Sequence, residues 1–158
     1  MDFTELYDQH AGRMFRLASA ILRNPHDAED AVQEAFLTVA RKKDFYAAMS
    51  KEKLAAALTV IVKSRAIDIL RRRTESADMD LIGQTLPDAA VSVTSGILLE
   101  EAIASLPGRQ RDVLLLSCAD GFTTAEIAEM TGLTRENVRK LLYRAKKQVR
   151  AYMEEETK

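Results

Sequence analysis

The chain is poor in the residues that build disulfides, tight turns and aromatic-rich cores. Its 158 residues include 1 cysteine, no tryptophan, 3 prolines and 6 glycines. A single cysteine excludes an internal disulfide and suits a reducing cytoplasm. The few prolines and glycines favour helices over a turn-rich β fold. Because Cys118 lies in the apolar run of residues 113–119, we expect a small core residue there rather than a nucleophile.

Sequence features of membrane proteins and of several enzyme classes are also missing. No apolar run is long enough to cross a bilayer, and residues 1–5 lack the basic and apolar parts of a signal peptide. His10 and His26 are isolated, no cluster of ligands has metal spacing, and there is no glycine-rich phosphate loop. We therefore expect a cytoplasmic protein that is not inserted in a membrane, is not an enzyme and holds no metal or cofactor.

The charged residues are arranged in blocks of opposite sign, although the net charge is only −1. Residues 41–73 carry 10 basic and 3 acidic side chains, and residues 109–150 carry 9 basic and 5 acidic ones. Between them, residues 74–108 contain 6 acids and no lysine or arginine. Two basic blocks separated by an acidic one indicate two separate contacts with nucleic acid.

Apolar residues recur at helical spacing in the first half of the chain. The first helix begins near Phe3 and should end at Asn24, since proline disfavours a helical conformation in the residue before it. Asn24 and Pro25 then supply the cap and the first position of a second helix. We expect a loop over residues 44–50, followed by a long helix over about residues 52–73.

The second helix carries an acidic stripe on its polar side. This stripe consists of Asp27, Asp30 and Glu34, with Gln33 beside them. Such a stripe is either an ordinary solvated face or a docking surface for a basic helix.

The apolar pattern dissolves over residues 74–95, a composition typical of a linker between domains. A second domain with several short helices begins near Gly96. The predicted fold is all-α, with one small helical domain over residues 1–75, a flexible linker over 76–95 and a second helical domain over 96–158.

The second domain contains the pattern of a helix-turn-helix. Thr123 and Glu126 have the spacing of a capping box, Gly132 can end the first helix, and Thr134 can cap the next one. A charged outer face alone would suit any solvated helix, but the two caps, the glycine turn and the basic second helix together favour DNA binding. The candidate residues for bases and phosphates are Thr134, Arg135, Glu136, Asn137, Arg139, Lys140, Tyr143 and Arg144.

Three segments in this order resemble the bacterial RNA polymerase sigma factors of the extracytoplasmic-function (ECF) type. Residues 27–37 are similar to the segment that grips the clamp helices of the polymerase β′ subunit, and residues 66–72 to the helix that reads the downstream (−10) promoter box. Residues 106–150 resemble the domain that reads the upstream (−35) box. The resemblance implies core RNA polymerase (β′ clamp helices and β flap), promoter DNA and an inhibitory anti-sigma factor as partners.

The resemblance also assigns candidate residues to the first domain. Opening a promoter requires a surface that holds single-stranded DNA, for which aromatic and cationic side chains are suited. An aromatic residue of this set could instead pack beneath its own loop. For the downstream box these candidates are Phe45, Tyr46, Lys63, Ser64, Arg71, Arg72 and Arg73; for core polymerase they are Asp27, Asp30, Gln33 and Glu34.

The chain departs from the family's pattern in the long helix and at Leu141, where the family frequently has a basic residue, and two other interpretations stay open. Val62-Lys63-Ser64 stand where the family usually has Ala-Arg-Asn, and the customary tryptophan of that helix is absent. One alternative is a stand-alone helix-turn-helix regulator that binds duplex DNA without polymerase. The other is a sigma-like adaptor that binds polymerase but lacks promoter-melting activity.

Overall fold

The computed structural model describes residues 2–76, 94–119 and 121–156, and every regular element in these ranges is a helix. The chain divides into two compact units, Met1–Thr85 and Leu86–Lys158. The predicted linker falls largely outside the described residues. In chain order the helices are α1 (Phe3–Leu22), α2 (Pro25–Arg41), α3 (Lys43–Ala47), α4 (Lys51–Ser76), α5 (Thr94–Ala104), α6 (Gly108–Cys118), α7 (Thr124–Thr131) and α8 (Arg135–Glu156).

The junction between α1 and α2 forms as the sequence predicts. Arg23 ends α1 in the left-handed conformation (φ 53°). The Asn24 side chain accepts hydrogen bonds from the backbone N–H groups of His26 at 2.9 Å and Asp27 at 3.1 Å. Pro25 occupies the first helical position, where its missing N–H leaves no hydrogen bond unmade. Asn24 therefore fixes where α2 and its acidic stripe begin.

In the first unit α1, α2 and α4 pack against one another. The apolar stripe of α2 is fully buried, and α4 is covered on more than one side, since both Leu58 and Ile67 are buried. Burial of each large aliphatic side chain contributes about 1.5–3 kcal/mol, so this shared core is the main source of the unit's stability. The buried residues of α2 are Ala28, Ala31, Val32, Ala35, Phe36 and Val39.

Two sequence-based expectations are wrong. The predicted loop over residues 44–50 is largely helical, because α3 runs through Lys43–Ala47 and buries Tyr46 completely against the rest of the unit. Cys118 is exposed rather than in the core. It is the last residue of α6, and it lies about 200° around the helix from the buried Leu116.

The second unit is built around α8, which packs against α5, α6 and α7. Its core includes Leu106, Leu114 and Ala145, with Leu142 and Val149 packed beside them. This core covers one face of α8 and leaves the opposite face in solvent. Arg111 in α6 is fully buried, and its Nη1 donates a hydrogen bond to the Leu106 carbonyl oxygen at 3.4 Å.

Candidate functional site

The turn before α8 has the predicted helix-turn-helix geometry. The backbone N–H of Glu126 donates to Thr123 Oγ1 at 3.1 Å, and that of Thr123 donates to Glu126 Oε1 at 3.0 Å, which completes the capping box of α7. Gly132 ends α7 in the left-handed conformation at φ 73°. Thr134 then caps α8, since its Oγ1 accepts the backbone N–H of Asn137 at 3.1 Å. These caps fix the start and direction of α8.

The core-facing residues of α8 include Val138 and Ala145, which are buried. All eight residues predicted for DNA contact, Thr134 to Arg144, lie on the exposed part of the helix. Tyr143 is 68% exposed, and Lys140 Nζ lies 3.4 Å from a Glu136 carboxylate oxygen. This arrangement leaves guanidinium, amide and ammonium donors available for base edges and phosphates.

The acidic stripe of α2 lines one wall of an open groove between α2 and α4. Asp30, Gln33 and Glu34 are exposed there, and Leu37 beside them is 52% exposed. The opposite wall is provided by α4, and the groove has a volume of about 500 Å³. The lining residues are Asp30, Gln33, Glu34, Leu37, Ile69, Arg72 and Arg73. Leu37 is not among the residues predicted from the sequence; the signal for it is an apolar residue outside the buried stripe of α2.

Asp27 differs from the other acidic residues because it is bound within the unit. Arg73 Nη1 lies 2.8 Å from Asp27 Oδ2, and Arg73 Nη2 donates to the Leu22 carbonyl oxygen at 2.9 Å. The Arg73 side chain is 33% exposed and the Asp27 side chain is 27% exposed. The structure thus brings together one residue predicted for polymerase binding and one predicted for DNA binding.

The residues predicted for the downstream box are not all at the surface. Tyr46 is fully buried and Ser64 is 1% exposed, so neither side chain is accessible to DNA in this conformation. Tyr46 packs edge-on against Phe45 with ring centroids 5.1 Å apart. Phe45, Lys63 and Arg71 are half-buried, and Arg72 is exposed.

The described residues contain neither a membrane span nor a metal-binding cluster. Each helix in residues 2–76, 94–119 and 121–156 is too short or too polar to span a bilayer. Within the same ranges, no three His, Cys, Asp or Glu residues lie close enough together to hold a metal ion.

Comparison with known proteins identifies both units. Residues 6–76 match the family profile of Sigma-70 region 2, and residues 97–149 match that of Sigma-70, region 4. The two segments therefore correspond to the two helical units, in the same order along the chain.

Curated relatives extend the match across the linker. The ECF RNA polymerase sigma factor SigE of Mycolicibacterium smegmatis is 31% identical in an alignment that covers 94% of this chain and 60% of that relative. The ECF RNA polymerase sigma factor SigL of Mycobacterium tuberculosis is 28% identical over 95% of this chain and 88% of its own length.

A third relative is the ferric citrate uptake sigma factor FecI of Escherichia coli, which is 28% identical over 92% of this chain and 87% of its own length. The two domain profiles and the three relatives point to the same family. The chain belongs to the sigma-70 family, among its extracytoplasmic-function members.

Proposed function

We propose that this protein is a sigma factor that binds core RNA polymerase and directs it to a specific set of promoters. The observation that carries this proposal is the presence, in one chain, of exposed acidic residues on α2 and of an exposed face with base-seeking side chains on α8. A repressor needs the second surface but has no need of the first. The protein itself performs no chemistry; it acts by positioning polymerase, in the bacterial cytoplasm where that enzyme and its promoters are found.

The α2 groove is the proposed docking surface for polymerase. Its exposed Asp30 and Glu34 suit a basic partner, for which we propose the β′ clamp helices. Leu37, one turn beyond Glu34, adds an exposed apolar side chain, and Gln33 adds hydrogen-bonding groups. Opposite charges at a solvated rim mainly accelerate association, so this contact should weaken at high salt.

The helix α8 is the proposed reader of the upstream promoter box. With its N-terminal turns in the major groove, Arg135, Asn137 and Arg139 can reach base edges. Lys140 and Arg144 supply charge for phosphates, and Glu136 can accept a hydrogen bond from a cytosine amino group. Each good bidentate base contact contributes about 1–3 kcal/mol of discrimination.

For the downstream box we propose contacts by the accessible members of the predicted set. These are Phe45, Lys63, Arg71 and Arg72, which include an aromatic ring and cations suited to single-stranded DNA. Tyr46 is buried against Phe45 and helps to hold that ring, whereas Ser64 is buried and makes no proposed DNA contact. Arg73 acts through its ion pair with Asp27 rather than on DNA directly.

Further partners follow from membership in the family. We propose that the second unit contacts the β flap of polymerase, and that an anti-sigma factor holds the protein inactive until a signal arrives. Because α2 and α8 must both be accessible for transcription, an inhibitor that covers either helix would block initiation.

Pull-down with purified bacterial core polymerase, followed by run-off transcription on genomic fragments, tests the proposed function. We expect core binding together with new, promoter-specific transcripts. Core binding without transcripts would favour the sigma-like adaptor, which the missing tryptophan and the buried Tyr46 make the second candidate. Tight duplex binding without core binding would favour a stand-alone regulator.

A further inference from the structure

The exposed side of α1 separates its charges by sign along the helix. Residues 2–9 contain 3 acids and no lysine or arginine, whereas residues 11–23 contain 3 arginines and no acid. One exposed stripe runs through both parts, about 180° around the helix from the buried Met14. Its residues, called the α1 stripe below, recur every three or four positions and are Glu5, Gln9, Gly12, Arg16, Ala20 and Arg23.

These charges are not neutralised within the first unit. The nearest acid and base of α1, Asp8 and Arg13, are five residues apart, whereas charges along a helix pair at spacings of three or four. Among residues 2–76, Asp8, Arg16 and Arg23 form no ion pair. The α1 stripe and the exposed Asp8 beside it therefore present negative and positive charge in separate regions.

The helix dipole does not explain this separation. It favours acids in the first turn and bases in the last turn, and its effect is confined to those turns. Asp8 and Arg16 lie further inside the helix, and the last turn of α1 has no basic residue. The separation instead matches a partner helix whose charges run in the opposite order.

Gly12 lies in the middle of the α1 stripe, between the acids and the arginines. Glycine destabilises the interior of a helix relative to alanine. Among the described residues, a Cβ at this position would meet only Arg16 Nη1, at an ordinary 3.7 Å, so packing within the first unit does not require glycine here. A position without a side chain does allow the backbone of a second helix to approach closely.

A second copy of α1 has the required order of charges when it lies antiparallel to the first. With the two copies of Gly12 facing each other, Asp8 lies level with Arg16 of the second copy, since each is four residues from the centre. Asp2 and Arg23 are ten and eleven residues from the centre, so their levels differ by about 1.5 Å. Two-fold symmetry makes each of these contacts twice.

We infer that the free protein forms a two-fold symmetric dimer in which the α1 stripes of two copies pack antiparallel. This inference goes beyond the proposed function and does not depend on it. The charge pairs lie at a solvated surface, so the dimer should be weak and should dissociate at high salt. One helix face buries less than about 1,200 Å², which is typical of transient complexes.

Sedimentation equilibrium of the full chain at low salt tests the inference with two charge-reversal variants. Glu5→Arg with Asp8→Arg, the basic variant, places only positive charge on the face from residue 5 to residue 23. Arg16→Glu with Arg23→Glu, the acidic variant, places only negative charge there. Each variant alone should self-associate at least about tenfold more weakly than the wild type, because like charges meet. An equimolar mixture should form a heterodimer tighter than the wild-type dimer, because opposite charges meet throughout.

Two further variants separate the stripe from net charge and from folding. Lys146→Glu with Lys147→Glu changes the net charge as the acidic variant does, at exposed positions of the second unit, and should dimerise like the wild type. Gly12→Gln should weaken self-association because its side chain separates the two backbones, while circular dichroism shows that the helix is retained.

Three results would overturn the inference. The first is a wild-type protein that stays monomeric up to about 1 mM at low salt. The second is equal self-association of the wild type and both charge-reversal variants. The third is a mixture of the basic and acidic variants that forms no heterodimer.

Discussion

The guanidinium of Arg73 joins three helix ends in the first unit. It binds the Asp27 carboxylate at the start of α2 and the Leu22 carbonyl oxygen at the end of α1, while Arg73 itself lies near the end of α4. A planar fork with several N–H donors can make both contacts at once, which the single ammonium of a lysine cannot do with the same geometry. This side chain therefore helps the shared core to hold the start of α2 against α1 and α4.

Replacement of Arg73 should destabilise the first unit. We expect Arg73→Gln to lower the free energy of unfolding by about 1–2 kcal/mol, because Asp27 and the Leu22 carbonyl oxygen each lose a hydrogen bond, and Arg73→Lys to restore only part of this loss. Urea unfolding followed by circular dichroism measures the effect. Arg72→Gln is the control, since Arg72 is exposed, and its effect should stay within about 0.5 kcal/mol. Equal effects of the two glutamine substitutions would contradict the bridging role.

Two glycines provide a matched test of backbone conformation. Gly132 has φ 73°, with open space where a Cβ would lie, so Gly132→Ala should cost about 1–2 kcal/mol through backbone conformation alone. Gly12 lies inside α1, where a Cβ would meet Arg16 Nη1 at an ordinary 3.7 Å, and Gly12→Ala should stabilise the protein by about 0.5–1 kcal/mol. Thermal unfolding measures the change in stability of each variant, which should be a loss for Gly132→Ala and a gain for Gly12→Ala. A neutral Gly132→Ala variant would argue against a fixed turn before α8.

At the scale of helices, the acidic residues of α2 are expected to control binding to core polymerase. Asp30→Arg combined with Glu34→Arg should weaken binding to core polymerase on the order of 100-fold or more, because like charges would then face each other across the interface. Both side chains are exposed, so the fold should be retained. Affinity measurement with labelled chain and purified core checks this.

The control for charge reversal lies on α1. Glu5→Arg combined with Asp8→Arg makes the same change in net charge at exposed positions outside the groove. This variant should bind core polymerase with nearly the affinity of the wild type. If both double variants lost affinity equally, net charge rather than the α2 groove would control binding.

A contact between α5 and α8 should make the second unit less stable at alkaline pH. The Tyr152 hydroxyl donates to Glu101 Oε2 at 3.3 Å. Burial, followed by the charges of Glu101 and Glu156 and this hydrogen bond, raises the pKa of Tyr152 above its ordinary value of 10.0. The folded unit therefore holds the phenolic proton more tightly than the unfolded chain, so this contribution is complete below pH 10.0 and is lost as the pH rises above it.

Comparison with Tyr152→Phe isolates this effect. The variant lacks the titrating group, so the difference in unfolding free energy between wild type and variant should shrink as the pH rises from 9 to 11 around the ordinary pKa of about 10. Urea unfolding at several pH values, with pH 7 as the baseline, measures the difference. A difference that stays constant over this range would contradict the raised pKa.

Local sequence signals predicted the helix ends well, whereas features that depend on long-range packing were not predicted. Asn24, Thr123, Gly132 and Thr134 act through neighbours within a few residues, so their caps could be derived from the sequence. The ion pair of Asp27 with Arg73, 46 residues apart, and the burial of Tyr46 and Ser64 depend on how α1, α2 and α4 pack. These contacts leave no short-range signal in the sequence, so they could not be predicted from it.

At the scale of the whole molecule, the distribution of charge assigns different contacts to the two units. The first unit contains the acidic residues of α2 and the basic end of α4, and the second unit presents α8 with its exposed cations. Between the two basic blocks lie 35 residues without a lysine or arginine. The proposed function therefore requires two separate promoter contacts that become effective together only on polymerase.

Hydroxyl-radical footprinting on a promoter from the run-off screen tests this requirement most directly. We expect two protected stretches, at the upstream and downstream boxes, when the chain is bound to core polymerase, and no protection by the chain alone at the same concentration. Protection of the same stretches by the chain without polymerase would contradict it.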